Sequence, residues 1–327
     1  MFDNSCLILL ITNKHDLTTD FVVKALSEKG ISFYRFNTED LFKTVGFCYK
    51  LINGKIQAYL IDEVLKQKID LKEVGSVYYR RPGIPQPCSE DLSENEKAYL
   101  TRENLRVLEG IYKLLDDAFW INPVWRIREA ENKIWQLKIA VECGFTIPES
   151  LLSDNAVELE RFRNRYTSTI VKPVSSGLVE ESKDKSRVVF TSSLTEPIIT
   201  EDVTETFLYI QEEVRKRADV RVTIVGESVF ATLINSQATE EGTVDWRRSS
   251  MIPKHERYQM PKSEIDKCLR MMKLMGLRYG AFDFILKPDD KLIFLELNPN
   301  GQWAWIENQT GYGIADAIVD LMINREN

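Results

Sequence analysis

The sequence of 327 residues lacks the clusters of cysteine and histidine from which zinc sites and many catalytic centres are built. Its five cysteines are scattered and odd in number and form no CxxC pair, and its two histidines, His15 and His255, are isolated. A GxSxG nucleophile elbow is also missing, which counts against a serine hydrolase. We therefore expect the chemistry of this chain to depend on carboxylates, lysines and arginines.

An excess of positive charge and long apolar runs are missing as well. The net charge of −7 does not favour binding to nucleic acid or to an anionic membrane. No apolar run approaches the roughly 20 residues that span a bilayer, and the opening CLILLIT run is typical of a buried strand rather than of a targeting signal. We expect an ordinary globular protein of the cytoplasm, without a membrane or nucleic-acid partner.

The hydrophobic pattern predicts a mixed fold, α/β in the first part and α+β with antiparallel strands in the second. Predicted domains cover residues 1–122, 123–206 and 207–327. The first contains strands at 7–12, 32–36 and 77–79, a helix capped at Thr18 and Thr19, a hairpin over 45–61 turning at Asn53-Gly54, and a long helix over 93–117. The others contain a helix over 128–143, strands at 168–172, 187–191, 207–213, 220–225 and 228–235, a helix over 263–275 and a final hairpin.

The strongest chemical signal lies in that final hairpin. If its turn is centred between residues 289 and 290, Asp283 lies directly opposite Glu296, and Asn298 shares their face. Two carboxylates at that separation repel each other unless a cation lies between them, and oxygen ligands suit Mg²⁺ or Mn²⁺. The alternative is an edge hairpin whose acidic side chains face solvent.

Two further segments have features of a nucleotide site. Lys172 ends an apolar strand and precedes a turn in which Ser176 and Gly177 can offer a hydroxyl and backbone N–H groups to phosphate. After four apolar residues, a polar edge of Gln211, Glu212, Glu213 and Val214 could contact adenine through backbone groups, and Asp219 could reach a ribose hydroxyl. Taken singly, these residues equally fit a strand-ending lysine and a polar strand end.

Four arginines are candidates for binding anions, because a guanidinium suits bidentate contacts to phosphate and carboxylate. Arg221 lies in an alternating strand, so its side chain takes one defined face, whereas Arg247 lies in a polar loop and is equally a solvated surface residue. Arg80 and Arg81 follow a short N-terminal strand. They fit either ion pairs between the two halves of the chain or a grip on an acidic peptide.

In their order and spacing these parts resemble the ATP-grasp superfamily over about residues 125–325. The resemblance implies an enzyme that uses ATP and Mg²⁺, with Mn²⁺ as an alternative, to activate a carboxylate as an acyl-phosphate. It also implies roles for single residues. Lys133 and Lys172 would bind the nucleotide phosphates, Glu212 and Val214 the adenine, and Asp219 the ribose. Asp283, Glu296 and Asn298 would bind the metal, and Arg221 and Arg247 the acyl-phosphate.

A narrower resemblance covers nearly the whole chain. The segments YYRRP, VKPVSSG, ADVRVTIVG, VDWR and ELNPNGQW resemble the microviridin-type maturases, the graspetide ligases. This implies an ATP-grasp fold with an N-terminal α/β pre-ATP-grasp domain. It also implies a precursor peptide, with a leader and an acidic, hydroxyl-rich core, whose Asp or Glu side chains are joined to Ser/Thr hydroxyls or Lys amines. The family further suggests a leader-binding element near residues 180–205 and a homodimer.

Three alternatives share parts of this site. A glutamate or amino-acid ligase acting on a protein terminus or small amine would accept a free amino acid and need no leader. A non-catalytic scaffold that binds a peptide would show no Mg²⁺-dependent ATP turnover. A kinase would release ADP without dehydrating an acceptor. The general base that a hydroxyl acceptor would need is left unassigned at this stage.

Overall fold

The computed structural model of the chain describes residues 7–175, 178–182, 185–238 and 254–325. The helices are α1 (Leu17–Glu28), α2 (Glu94–Lys113), α3 (Val124–Ala130), α4 (Lys133–Cys143), α5 (Ala156–Arg163), α6 (Lys262–Met275), α7 (Ala304–Thr310) and α8 (Ile314–Asn324). Within the described ranges, none of them has the length and apolar character that crossing a bilayer requires.

The strands are β1 (Leu7–Thr12), β2 (Phe33–Asn37), β3 (Val45–Ile52), β4 (Lys55–Asp62), β5 (Gln67–Asp70), β6 (Val74–Tyr79), β7 (Phe119–Trp120), β8 (Ser150–Ser153), β9 (Thr169–Lys172), β10 (Leu178–Ser182), β11 (Lys185–Val188), β12 (Ser192–Ser193), β13 (Leu208–Glu212), β14 (Ala218–Val225), β15 (Ser228–Ile234), β16 (His255–Arg257), β17 (Tyr279–Leu286) and β18 (Leu292–Asn298).

The N-terminal part is a parallel sheet in the order β2-β1-β6-β7, with the separate antiparallel sheet β3-β4-β5 beside it. The predicted hairpin is confirmed, and Asn53 and Gly54 at its turn both have positive φ, as a two-residue turn of this kind requires. The predicted caps of α1 are wrong. Asp16 caps the helix by accepting a hydrogen bond from the N–H of Thr18, while Thr18 and Thr19 lie buried inside it.

The predicted single helix over 128–143 is also wrong, because two helices, α3 and α4, occupy this region. Asn132 separates them: its side chain accepts a hydrogen bond from the N–H of Trp135 at 3.0 Å and so caps α4. A side chain that satisfies a free N–H in this way starts a new helix rather than continuing the old one. The interruption places Lys133 at the first position of α4.

The central part is an antiparallel sheet in the order β12-β9-β13-β8. One face packs on α5 through a small apolar cluster that includes Leu159, Phe162 and Ile210. The other face has Lys172 directly opposite Tyr209. The predicted strand over 187–191 is wrong, since β11 ends at Val188, residues 189–191 are irregular and β12 begins at Ser192; β8 and α5 were not predicted.

The C-terminal part is a five-stranded antiparallel sheet in the order β16-β15-β14-β17-β18, as the sequence predicted for this half. One face is apolar and packs on α4 and α6 through residues such as Val222, Phe282 and Phe284. Part of the other face is covered by α7 and α8, which share a core with α1 and β1. The rest of that second face bears the polar side chains of the candidate site.

Candidate active site

Three charged side chains lie side by side on the second face of the C-terminal sheet. Arg221 of β14 pairs with Asp283 of β17, which in turn pairs with Glu296 of β18. Directly paired residues of neighbouring strands share a face, so these side chains form one row across the sheet. The Arg221 guanidinium donates to Asp283 Oδ2 at 2.6 Å. The predicted opposition of Asp283 and Glu296 is therefore confirmed.

The reason for that opposition differs from the predicted one. Near the turn, Phe284 pairs with Phe294 and Leu286 with Leu292, which centres the turn on residue 289 and not between 289 and 290. A bulge at Leu295 then shifts the register by one residue, and this shift places Glu296 opposite Asp283. Bulges are frequent beside active sites, because an extra residue re-aims the side chains that follow it.

Arg221 is held rigidly in this row. Its side chain is only 7% exposed, and it also donates to the backbone carbonyl of Gln302 at 3.3 Å. Burial is the largest single influence and would lower the pKa of Arg221, but the charge and hydrogen bond of Asp283, with Tyr279 and Glu296, together outweigh it, so the pKa is raised and the guanidinium stays charged. A Cβ added at Gly301 would lie 2.5 Å from Arg221 Nη2 and 2.6 Å from the Cβ of Ala281. Residue 301 must be glycine for Arg221 to keep this position.

The predicted metal ligands fit a hard divalent cation by their chemistry. Asp283 and Glu296 offer carboxylates, and Asn298, two residues beyond Glu296 on the same strand, offers an amide oxygen. Asn298 Oδ1 accepts a hydrogen bond from the N–H of Asn300 at 3.0 Å, which fixes the amide while leaving that oxygen a second lone pair. Across the described ranges there is no group of three or more His, Cys, Asp or Glu residues arranged to hold a metal, so this mixed set of donors is the candidate.

Lys133 links this row to the central sheet. Its Nζ donates to the carbonyl of Pro173 at 2.8 Å and lies 3.7 Å from Glu296 Oε2. Pro173 directly follows Lys172, so the structure brings both predicted phosphate-binding lysines to the same side of Glu296. Burial raises the pKa of Tyr209, the residue opposite Lys172; a hydrogen bond with Ser150 opposes this effect, and the charge of Glu296 adds to it, as expected if this face of the central sheet lies toward the acidic row.

The predicted adenine edge lies at the end of β13 and in the irregular link from β13 to β14. Gln211 is 1% exposed, and its amide donates to Ser150 Oγ at 2.8 Å, while Glu212 Oε1 accepts from the N–H of Glu149 at 3.1 Å. Asp219 is buried and forms an ion pair with Lys216 at 2.8 Å. A cleft of about 680 Å³ opens at this link and is lined by residues 213–217 and by Ser168, Gln237 and Pro288.

That cleft includes Glu213 and Val214 but neither Asp283 nor Glu296. The ion pairs and hydrogen bonds described above converge at the acidic row instead, which makes that row the candidate reacting centre. The predictions for Ser176, Gly177 and Arg247 lie outside the described residues. So do the side chains over 178–188, which form part of the segment predicted to bind a leader.

The two neighbouring arginines of the N-terminal part occupy different environments. Arg80 is 1% exposed; it donates to both oxygens of Asn300 and to the carbonyl of Gly301 at 3.1 Å, and lies 3.4 Å from Asp16. It therefore joins the N-terminal sheet to the loop that follows Asn298, which matches the interpretation as a partner between the two halves.

Arg81, by contrast, is exposed, with its backbone in the left-handed region at φ 42°. Its pKa is lowered, first by the loss of hydration and then by the like charges of Arg80 and Arg221, which Asp16 and Tyr279 only partly offset. Uncommon backbone geometry of this kind occurs often at functional sites. Arg81 is thus the one of the two that solvent and a ligand can reach.

Two buried amides that support the site were missed from the sequence. Asn122 donates to the carbonyls of Tyr279 and Pro299 at 2.8 and 2.9 Å and accepts from the N–H groups of Arg278 and Tyr279. Gln136 bonds the N–H and carbonyl of Leu297, between two of the predicted ligands. Asn122-Pro123 was recognised only as a domain boundary, and nothing in the local sequence indicates these long-range partners.

Comparison with models of protein families shows the class of protein to which the chain belongs. A RimK-like ATP-grasp domain matches residues 130–322, and an MvdD pre-ATP grasp domain matches residues 7–128. The chain belongs to the RimK-like ATP-grasp family and has an N-terminal pre-ATP-grasp domain, so the predicted fold and class of enzyme, an ATP-grasp ligase, are confirmed. The predicted domain limits and the roles of single residues stay predictions.

Two solved structures are similar to nearly the whole chain. The macrocyclase MdnC of Microcystis aeruginosa MRC, bound with precursor peptide MdnA, is 29% identical, with a TM-score of 0.85 over 97% of this chain and 99% of that one. A RiPP-associated ATP-grasp ligase of Chryseobacterium gregarium, in complex with ADP and a leader and core peptide, is 26% identical, with a TM-score of 0.86 over 98% of both chains.

Among curated proteins, a probable alpha-L-glutamate ligase of Haemophilus influenzae is 25% identical over 209 residues. The match covers 62% of this chain and 66% of the relative, just under two thirds of its length. This relative corresponds to the glutamate-ligase alternative, and the two solved structures correspond to the resemblance to peptide-modifying ligases.

Proposed function

We propose that the chain is an ATP- and Mg²⁺-dependent macrocyclase of a ribosomally made precursor peptide. It would activate Asp or Glu side chains as acyl-phosphates and condense them with Ser/Thr hydroxyls or Lys amines. The observation that carries the proposal is the row of Arg221, Asp283 and Glu296, with Lys133 bridging it to the central sheet. The similarity of the whole chain to the peptide-bound MdnC supports a peptide as the substrate.

In the first step, Lys133 and Lys172 would hold the phosphates of ATP beside Glu296. Mg²⁺ held by Asp283, Glu296 and Asn298, with Mn²⁺ as an alternative, would offset the charge that develops on those phosphates. A side-chain carboxylate oxygen of the peptide attacks the γ-phosphorus, the bond to the bridging oxygen breaks, and ADP leaves. The product is an acyl-phosphate on the peptide.

Arg221 and Arg81 are the groups that we assign to the incoming carboxylate. The charge of Arg221 lowers the pKa of Arg81, and Arg80 adds a third positive charge that acts on it, so Arg81 belongs to the same electropositive region. Fixed positive charges in a partly buried site stabilise the carboxylate and then the acyl-phosphate. The predicted contribution of Arg247 stays a prediction.

In the second step a hydroxyl or amine of the same peptide attacks the acyl carbon. The bond between that carbon and the phosphate oxygen breaks, inorganic phosphate leaves, and an ω-ester or ω-amide closes a ring. Both reacting groups belong to one bound peptide, so the reaction is effectively intramolecular, and the barrier falls by several kcal/mol. The predicted leader-binding element and the homodimer belong to this proposal as well.

A glutamate or amino-acid ligase is the second candidate, and the curated relative favours it. It would use the same lysines and the same acidic row. The match of residues 7–128 to a pre-ATP grasp domain of the MvdD type, outside the RimK-like region, weighs toward the macrocyclase.

The test is to incubate the protein with Mg²⁺, ATP and the precursor peptide encoded beside its gene, and to weigh the peptide by mass spectrometry. We expect the loss of one water mass per ring, abolished by Asp283→Ala and retained by Asp289→Ala, a matched control in the exposed turn of the same hairpin. An unchanged peptide, with ATP consumed when free amino acids are supplied, would favour the amino-acid ligase.

A further inference from the structure

His255 lies on the same sheet face as the reactive row, at the opposite edge of the sheet. The row continues from Arg221 to Thr232 of β15 and on to Arg257 of β16. His255 is two residues from Arg257 on the same short strand, so both side chains take this face. Neighbouring strands are about 4.8 Å apart, which places β16 about 10 Å from the strand of Arg221.

The imidazole of His255 packs against a ring but has no polar partner within the described part of the chain. Its ring packs against the ring of Trp305 in an edge-to-face arrangement, with the centroids 4.9 Å apart. Both ring nitrogens are shielded from solvent and lack a hydrogen-bond partner among the residues that the structure describes. A buried polar atom without a partner is costly and rare, so it marks a position where a ligand can supply the missing bond.

The position of the lysines leaves the opposite side of Arg221 to the acceptor. Lys133 and Lys172 lie on the β18 side of the row, beside Glu296, so the phosphates belong there. The side of Arg221 toward β15 and β16, away from those lysines, is then the side on which we infer that the acceptor group lies. Trp305 borders this side, three residues after Gln302, whose carbonyl binds Arg221.

No charged group of the described residues offsets the effect of burial on His255. On its own strand, Glu256 pairs with Lys254 at 2.6 Å, and Arg257 donates to the carbonyls of Thr310 and Gly311. On α7, Glu307 accepts from the N–H groups at the start of α8, and β15 has no titratable side chain. Asp219, in line with His255 two strands away, pairs with Lys216.

We propose that His255 is the general base that accepts the proton of the Ser or Thr hydroxyl as this hydroxyl attacks the acyl-phosphate. The assignment rests on the proposed function. The hydroxyl oxygen bonds to the acyl carbon, phosphate leaves, and the hydroxyl proton passes to the unprotonated ring nitrogen that the oxygen faces. Burial lowers the pKa of His255, so the imidazole is neutral at pH 7 and able to take the proton.

The test separates the two half-reactions with the precursor peptide encoded beside the gene. Ring closure is followed by mass, and the acyl-phosphate is trapped with hydroxylamine as a hydroxamate. We expect His255→Gln to slow closure onto hydroxyls by about 100-fold or more, the usual contribution of a general base, and to leave hydroxamate formation unchanged. His15→Gln, at the other histidine of the chain, is the matched control and should change neither.

Two further readouts separate catalysis from structure. In the wild type, ring closure should rise with pH through the pKa of His255 and then level off, and the His255→Gln variant should lose this rise. Free imidazole should partly restore closure in His255→Ala. Unchanged closure in His255→Gln, or an equal loss of closure and hydroxamate, would overturn the assignment alone. A wild-type protein that forms no hydroxamate would overturn the proposed function with it.

Discussion

Replacing the adjacent residues Arg80 and Arg81 by methionine, one at a time, should affect different properties: the stability of the fold for Arg80 and the binding of the peptide for Arg81. Arg80 is buried between Asp16 and the carbonyls of Asn300 and Gly301, whereas Arg81 is exposed beside Arg221. Methionine preserves the apolar stem at both positions and leaves the backbone requirement at residue 81 unchanged. The pair therefore compares a structural guanidinium with one that faces the substrate, at adjacent positions of the same strand end.

For Arg80→Met we expect the free energy of unfolding to fall by about 3–5 kcal/mol, the usual cost of removing one partner from a buried ion pair. The carboxylate of Asp16 keeps the hydroxyls of Thr12 and Thr19, but two carbonyls of the loop after Asn298 lose a charged donor. Because this loop also bonds Arg221 through Gln302, activity should fall as well.

For Arg81→Met we expect a change in unfolding free energy within about 0.5 kcal/mol, as at other exposed positions. Losing one charge-assisted bond of about 1.5–3 kcal/mol should raise the KM for the precursor peptide about 10- to 100-fold. Urea denaturation followed by tryptophan fluorescence, with steady-state kinetics, measures both quantities. Equal destabilisation by the two variants, or an unchanged KM in Arg81→Met, would refute this division of roles.

Three other changes test the support of the site. Gly301→Ala should lower activity and reduce the free energy of unfolding by about 1–3 kcal/mol, because the new methyl group overlaps Arg221 and Ala281. Gly110→Ala, with open space around its Cβ, is the control and should not reduce that free energy. Asn122→Ala should lower the free energy of unfolding by about 2–3 kcal/mol, since four backbone groups lose their partner. Asn164→Ala, at an exposed position, is its control in the same urea assay. Because the pKa of His255 is lower in the folded state than in the unfolded chain, its contribution to stability is present above the unfolded value near 6.5 and is lost as the pH falls. Stability measured from pH 7 to 5 should therefore fall less in His255→Gln than in the wild type.

The sequence was most informative where a local rule fixes the geometry. The opposition of Asp283 and Glu296 follows from the two-residue repeat of a hairpin, although the bulge at Leu295 that completes it leaves no recognisable signal. Asn132 is a strong helix cap, and applying the capping rule there would have separated α3 from α4. The spacing of Ile314, Ile318 and Val319 would likewise have predicted α8.

Contacts between distant segments could not be read from the sequence. Arg80 binds a loop more than 200 positions away, and Asn122 bonds the backbone of β17. His255 seemed isolated because its charged neighbours Lys254, Glu256 and Arg257 form no recognisable motif with it, and its contact with Trp305 joins segments 50 positions apart. Such arrangements arise from the packing of whole sheets, which local pattern does not determine.

The fate of the carboxylate oxygens tests the central claim most directly. The precursor peptide, with its acidic side chains labelled with ¹⁸O, is incubated with the protein, Mg²⁺ and ATP, and the released phosphate is examined by mass spectrometry. If an acyl-phosphate forms, one labelled oxygen passes from the peptide to inorganic phosphate for each ring closed. Unlabelled phosphate accompanying ring closure would contradict activation of the carboxylate by ATP.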